Sequence, residues 1–197
     1  MLKFVPRAKE IDSSDGKEID LSSCIISRFI NPGGFFFHES NCQIHTILGS
    51  CIAITLWHPI LNIGGMCHFV LPSNRKLNYA GALENQYDGR YSGGAMALFE
   101  REAAKHRTNL REYQAKIFGG SNMLANPTLK EDELIGTKNT EAALMLLSER
   151  EIPLIVADVG ETGFRRIIFD VEKGDVWVKH RPLRKNIPQQ RNLLKGL

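Results

Sequence analysis

Along most of the chain the apolar positions come in short runs broken by turn-forming residues, a spacing expected of strands rather than long helices. Cys24 to Ile30 is the first such run, and Asn31-Pro32-Gly33-Gly34 stops it. Phe35-Phe36-Phe37 reads as a short strand or an exposed hydrophobic lip. Ile44 to Leu48 predicts a strand that runs into the tight turn Gly49-Ser50. Cys51 to Trp57 is apolar and β-prone, long enough for a buried strand, and His58-Pro59 ends it. Periodicity alone leaves open the first turns of a buried helix there. Gly64-Gly65 opens another strand, Met66 to Leu71, stopped by Pro72. Further strands are predicted at Ala115 to Phe118, at Pro153 to Asp158, expected to be buried, and in a hairpin of Arg166 to Asp170 with Val176 to Lys179 around Glu172-Lys173-Gly174-Asp175.

Two segments change period. From Arg90 to Arg107, Met96, Phe99, Ala103 and, beyond it, Leu110 recur near one helical face, and Glu100, Arg101, Glu102, Lys105 and Arg107 make the wet side. Thr140 to Glu149 repeats the pattern, with Ala143, Leu146 and Leu147 inward. Strands outnumber helices and cluster at both ends of the chain. That order predicts an α/β fold of the α+β type: a single-domain layered sandwich of mixed sheets with two main helices. Residues 1–23, with Ser13-Ser14-Asp15-Gly16-Lys17 and little periodicity, are expected to form a loose leader. Residues 24–180 are expected to form the folded domain and residues 181–197 a basic tail.

Composition narrows the class. A chain of 197 residues with 43% hydrophobic and 24% charged residues can bury a core of its own. No apolar run approaches the roughly 20 residues that a membrane helix needs. Met1 to Pro6 has no sustained apolar stretch of the secretory kind. The expected address is the cytoplasm, with no membrane insertion and with the four cysteines, Cys24, Cys42, Cys51 and Cys67, as free thiols. The net charge of +3 hides an asymmetry. After Asp175 there is no acidic residue, while Lys179, Arg181, Arg184, Lys185, Arg191 and Lys195 are basic. Such a tail is either solvated or a contact arm for an acidic partner. Scattered charges without interleaved aromatics give no nucleic-acid signature.

Cys51 follows Leu48-Gly49-Ser50, where a tight turn passes into an apolar segment. A thiol nucleophile needs an exposed sulfur on a rigid support with backbone N–H groups nearby, and a Gly-Ser turn supplies both. The competing reading is a small hydrophobe in the core. His68, in Gly65-Met66-Cys67-His68-Phe69, is either a satisfied core histidine or the base for Cys51. A depressed Cys51 pKa, with an imidazolium beside a thiolate, is the expectation for such a pair. Zinc is the rival use of Cys42, His45, Cys51, Cys67 and His68, but no CxxC knuckle is present. Adjacent residues in a strand point to opposite faces, so Cys67 and His68 are not expected to share an ion. Gly119-Gly120-Ser121-Asn122-Met123 and Asp158-Val159-Gly160 lie where strands end in Gly turns, and neither fits a nucleotide-binding pattern.

Thr46-Ile47-Leu48-Gly49-Ser50-Cys51-Ile52-Ala53, followed by Gly64-Gly65-Met66-Cys67-His68-Phe69-Val70-Leu71-Pro72, resembles the chemoreceptor glutamine deamidases of the CheD family. Lys116 to Met123, Ile135-Gly136 with Asn139, and Asp158-Val159-Gly160 with Arg166 and Gly174 are similar to that family's later blocks, in the same order. The likeness spans roughly residues 28–180. It implies a layered sandwich related to the cytotoxic necrotizing factor deamidases. It also implies conversion of glutamine to glutamate on chemoreceptor helices, no metal or organic cofactor, and, for some members, binding to a CheC-type phosphatase. Carried over by position, Cys51 is the nucleophile, His68 the base and Thr46 the third member, with His45 as the alternative. Gly49, Ser50, Gly119, Gly120 and Ser121 become candidates for the oxyanion or substrate loops. Pro32-Gly33-Gly34 departs from the family's Pro-Gly-Glu, and Glu161 from the second Gly of its Asp-x-Gly-Gly. A catalytically idle module that regulates a phosphatase, and a hydrolase of another amide, are the alternatives.

Overall fold

The computed structural model describes residues 25–39, 41–73, 86–122 and 134–183. The leader, Cys24, Met123 and the tail beyond residue 183 lie outside the described residues. Nine strands and two α-helices are described: β1 (Ile26–Phe29), β2 (Phe35–Glu39), β3 (Cys42–Leu48), β4 (Ile52–His58), β5 (Ile63–Phe69), α1 (Ser92–Lys105), β6 (Gln114–Gly119), α2 (Ile135–Glu149), β7 (Leu154–Val159), β8 (Phe164–Asp170) and β9 (Val176–Arg181). They form two mixed sheets. One has four strands in the order β1-β3-β8-β9, and the other has five in the order β2-β5-β4-β6-β7. The layered sandwich predicted from the element order is the architecture observed.

Side-chain alternation explains the layers. In β3 every second residue is buried, and Ile44 and Leu48 join Ala53, Met66, Phe118, Ile167 and Phe169 in a core between the sheets. β4 and β5 are buried on both faces, which is why their sequences are almost continuously apolar. Their other face, with Ile52, Ile54, Leu56, Cys67 and Phe69, packs under Met96 and Phe99 of α1 and Ala143 and Leu147 of α2. The layers are therefore helices, five-stranded sheet, four-stranded sheet. The outer face of the four-stranded sheet carries no helix among the described residues.

Several expectations are refined. Cys51 to Trp57 is strand, not helix, and Cys51 sits just before β4. Phe35 to Phe37 is a strand at the edge of the larger sheet, with Phe35 and Phe37 packed toward the helices and Phe36 between the sheets. The helix predicted from Thr140 begins a turn earlier, at Ile135. That extra turn brings Gly136 against the Gly120 carbonyl, where a Cβ would collide. The expectation of a buried strand from Pro153 to Asp158 is overturned. β7 is an edge strand with β6 as its one neighbour in the sheet, and its Leu154, Ile155 and Val156 are 38–53% exposed. An apolar run identifies a strand but not its place in the sheet. The predicted hairpin is β8–β9, and Asp170 Oδ1 accepts the Glu172 and Lys173 N–H groups in its turn.

Candidate functional site

Register and parity bring the three sequence-predicted side chains together. β4 and β5 pair antiparallel with Ala53 opposite His68 and Ile52 opposite Phe69. Cys51, one step further, packs on the core between the sheets, as Ala53 does. Cys51 and His68 are thus diagonal neighbours on one face, a relation that places Cα atoms about 7–8 Å apart. Cys67, next to His68, points to the helix side and is fully buried. Across the gap, Thr46 lies between Ile44 and Leu48 on the inward face of β3. Its Oγ1 is 2.8 Å from His68 Nδ1 and 2.9 Å from the Ile30 carbonyl oxygen.

Those two contacts fix the imidazole tautomer. A threonine hydroxyl has one proton, and it is donated to the Ile30 carbonyl. Toward His68 the oxygen must then accept, so Nδ1 carries the ring proton. Nε2 is left with a lone pair, and it is buried without a hydrogen-bond partner. An orphaned, buried acceptor is costly unless something else uses it. The His68 backbone is held as firmly. Its N–H donates to the Gly34 carbonyl, and its carbonyl accepts the Gly33 N–H. The Pro32-Gly33-Gly34 departure from the family pattern therefore lies directly against His68.

The turn before Cys51 is fastened from behind. The Gly49 carbonyl accepts the Ser121 N–H, the Cys51 carbonyl accepts the Gly120 N–H, and Asn139 Nδ2 donates to the Ser50 carbonyl at 2.9 Å. In a planar trans peptide the N–H points opposite to the C=O. With the Gly49 and Ser50 carbonyls turned into the protein, the Ser50 and Cys51 N–H groups face the other way, on the side of the half-buried Cys51 thiol. The Ser50 and Cys51 N–H groups are accordingly the backbone donors that the turn leaves on the thiol's side. Gly119, Gly120 and Ser121, expected as substrate-loop candidates, lie behind the turn and fasten it. The Gly120 and Ser121 N–H groups are used on the turn, Gly119 accepts from Gly160, and Ser121 Oγ is buried 2.6 Å from Arg165 Nη1. Positive φ angles at Gly119 and Gly120 let the chain make this close approach.

Two residues with no role assigned from the sequence hold this backing together: Asn139, which figures there only as part of a family-like block, and Arg165, which does not figure at all. Asn139, fully buried, also donates Nδ2 to the Val70 carbonyl at 2.8 Å, so one amide ties the Cys51 turn to the strand that carries His68. Arg165, also buried, reaches Asp158 Oδ1 at 2.8 Å, Ser121 Oγ and the Gly160 carbonyl. The signal for Asn139 was present, as an amide in an otherwise apolar helix face. For Arg165 there was none, since its neighbour Arg166 looks alike in sequence and lies exposed on the outer face.

Burial sets the ionisation of the pair. It pushes the His68 pKa from 6.5 down to about 4. It raises the Cys51 thiol, with a smaller opposing effect from the Cys51 backbone N–H. The resting state is thus neutral thiol and neutral imidazole, not the thiolate–imidazolium pair expected from the sequence, because both ions are poorly solvated between the sheets. Cys42 and Cys67 are raised further, to about 11 and about 12, mainly by burial. His45 faces outward and hydrogen-bonds Ser27 Oγ at 3.1 Å, so Thr46 and not His45 meets His68. The five zinc-rival residues are divided among three faces. A hollow of about 240 Å³, lined by Phe37, His38, Glu39, Glu102 and His106, lies at the far end of β5 from Cys51.

A thiol, an imidazole with a free Nε2 and a hydroxyl that orients it, set at one end of a sandwich, are the groups from which a cysteine hydrolase can be built. Residues 70–180 match the family model described as CheD chemotactic sensory transduction, and the chain belongs to the CheD family. It is similar to a protein of Dechloromonas aromatica (strain RCB) named probable chemoreceptor glutamine deamidase CheD 3, with 49% identity over 150 residues, 76% of this chain and 85% of that one. It is also similar to the probable chemoreceptor glutamine deamidases CheD of Pseudomonas savastanoi pv. phaseolicola and Pseudomonas syringae pv. tomato. Both are 40% identical, over 78% and 77% of this chain and 84% and 88% of theirs. Among solved structures, the hypothetical protein YfiH of Bacillus licheniformis covers 64% of this chain and 51% of its own, with 14% identity and a TM-score of 0.41.

Proposed function

We propose that this protein is a protein-glutamine deamidase acting on chemoreceptors, with Cys51 as nucleophile, His68 as base and Thr46 as the group that orients His68. The observation that carries the reading is the orphaned His68 Nε2, fixed as an acceptor by the Thr46 hydrogen bond and lying on the same face as Cys51. His68 takes the thiol proton as the sulfur attacks the glutamine carboxamide carbon, so the thiolate need not exist at rest. The Ser50 and Cys51 N–H groups meet the developing oxyanion. Collapse of the tetrahedral intermediate expels ammonia, which receives the proton held by His68. Water then adds to the thioester with His68 again as base, and glutamate and the free thiol are released. Carried over from the family, the substrate glutamine lies on a receptor's cytoplasmic helix, the enzyme works in the cytoplasm, and a CheC-type phosphatase is a binding partner. No helix among the described residues is long and apolar enough to cross a membrane. Residues 24–180 would be the deamidase unit. The test is intact-mass measurement of a receptor cytoplasmic fragment after incubation with the enzyme. Each turnover exchanges NH₂ for OH, and the gain in mass should vanish with Cys51→Ala. An unchanged fragment mass with the wild-type enzyme would refute the reading.

A further inference from the structure

Among the described residues nothing covers the outer face of the four-stranded sheet, yet it is not built as a water-facing surface. Solvated faces of antiparallel sheets ordinarily alternate to polar residues. Here Phe29 is 52% exposed, Ile47 48% and Phe164 37%, with Trp177 partly exposed among them. Register arranges the face in rows that cross the strands. Phe29, His45, Ile168 and Trp177 lie in one row, and Ile47, Arg166 and Lys179 in the next; Arg181 pairs with Phe164 beyond them. The apolar row thus precedes a cationic edge, and that edge is at the end of β3 that leads into Gly49-Ser50-Cys51.

The cations of that edge are free to meet a partner's carboxylates. Arg90, Lys105, Arg111, Arg150 and Arg165 each have a carboxylate partner. Arg166, Lys179 and Arg181 have no ion-pair partner among the described residues. Of the acids at the opposite margin of the face, Asp170 is buried and spent on the β8–β9 turn, and Asp175 is exposed beside it, away from the cationic edge. Exposed aromatic groups beside unpaired cations, with acids depleted, are the composition of a recognition surface.

We propose that this face is an exosite that seats an acidic amphipathic helix of the protein substrate while Cys51 acts on its glutamine. The inference rests on the deamidase reading above. Four strands span about 14 Å between the outer two, the length of about two and a half helical turns. An apolar stripe of that length fits the Phe29–Trp177 row. The next row lies about 6.7 Å along the strands, so carboxylates on one flank of a helix about 10 Å wide would stand over Arg166 and Lys179. A second copy of the same face is disfavoured, because it would bring like charges together.

The test compares the full chain with Arg166→Glu/Lys179→Glu and with Arg166→Gln/Lys179→Gln on two substrates. One is a chemoreceptor cytoplasmic fragment and the other a blocked glutamine tripeptide too short to reach the face. Ammonia release is followed at low and high salt. The charge reversal should lower kcat/KM on the fragment by about tenfold at low salt, mostly through KM, and the gap should narrow as salt screens it. The glutamine variant should fall between, and the tripeptide rate should stay the same. Equal fragment rates for all three proteins overturn the exosite and leave the deamidase reading standing. Equal losses on fragment and tripeptide also overturn it, because the effect then lies in the fold. A faster fragment rate in the reversal overturns it too, and assigns the face to the chain's own acidic stretch, residues 10–20. No ammonia from the fragment with the wild type overturns the deamidase reading and the exosite with it.

Discussion

His68 is 1% exposed and neutral, and that gives a prediction about acid stability. Its pKa lies at about 4 in the folded protein against an ordinary 6.5, because burial penalises the cation. A group whose folded pKa is depressed binds fewer protons in the native state than in the unfolded state. Its contribution is therefore fully present above pH 6.5 and is lost as pH falls from there toward about 4. At about pH 4.5 the unfolded imidazole is almost wholly protonated and the folded one mostly neutral. The linkage relation then gives a loss of roughly 2–3 kcal/mol relative to about pH 7.5. The perturbation is His68→Asn, which keeps an N–H donor near the Nδ1 position and removes the titration. Urea unfolding of both proteins at the two pH values is the assay. Carboxylates and His45 titrate in both, so their contributions cancel in the comparison. Wild type should lose roughly 2–3 kcal/mol more than the variant, a midpoint difference of about 1 M for an m value near 2 kcal/mol per molar. Parallel acid losses, within about 0.5 kcal/mol, would show that His68 is not held neutral, and the tautomer argument would fail with it.

Three other outcomes are expected. Cys51→Ala should abolish receptor deamidation by the intact-mass assay with an unchanged unfolding midpoint, while Cys42→Ala and Cys67→Ala, whose thiols lie away from the pair, should keep turnover. Carboxamidomethylation of Cys51 should be slow at neutral pH and still rising above pH 9, because burial raises this thiol; a plateau already at pH 7 would restore the thiolate–imidazolium pair. Thr46→Val and Asn139→Ala should each cost about 1–3 kcal/mol by urea unfolding, since buried partners lose their hydrogen bonds; in steady-state kinetics the fall should be in kcat, with KM little changed.

The Cys51 turn and the strand with His68 were legible in the sequence because local chemistry marks them. Gly49-Ser50 is a turn in almost any setting, and period-two alternation already assigned Cys67 and His68 to opposite faces. The same alternation favours Thr46 over His45, since Thr46 shares its parity with Ile44 and Leu48. The exposed Ile47 blurred that pattern, and its exposure belongs to a face that sequence alone does not reveal. What only the tertiary structure decided is non-local. Thr46 and His68 stand on different sheets, and their contact exists because the chain switches sheets between β3 and β4, at Gly49 to Cys51. The parallel pairings β1–β3 and β6–β7 leave no local mark, which is why β7 was expected inside and is found at an edge. The sign of the Cys51 shift followed the same logic. A sequence shows which groups stand near one another in the chain, but the desolvation that makes both ions unfavourable comes from two sheets closing over them.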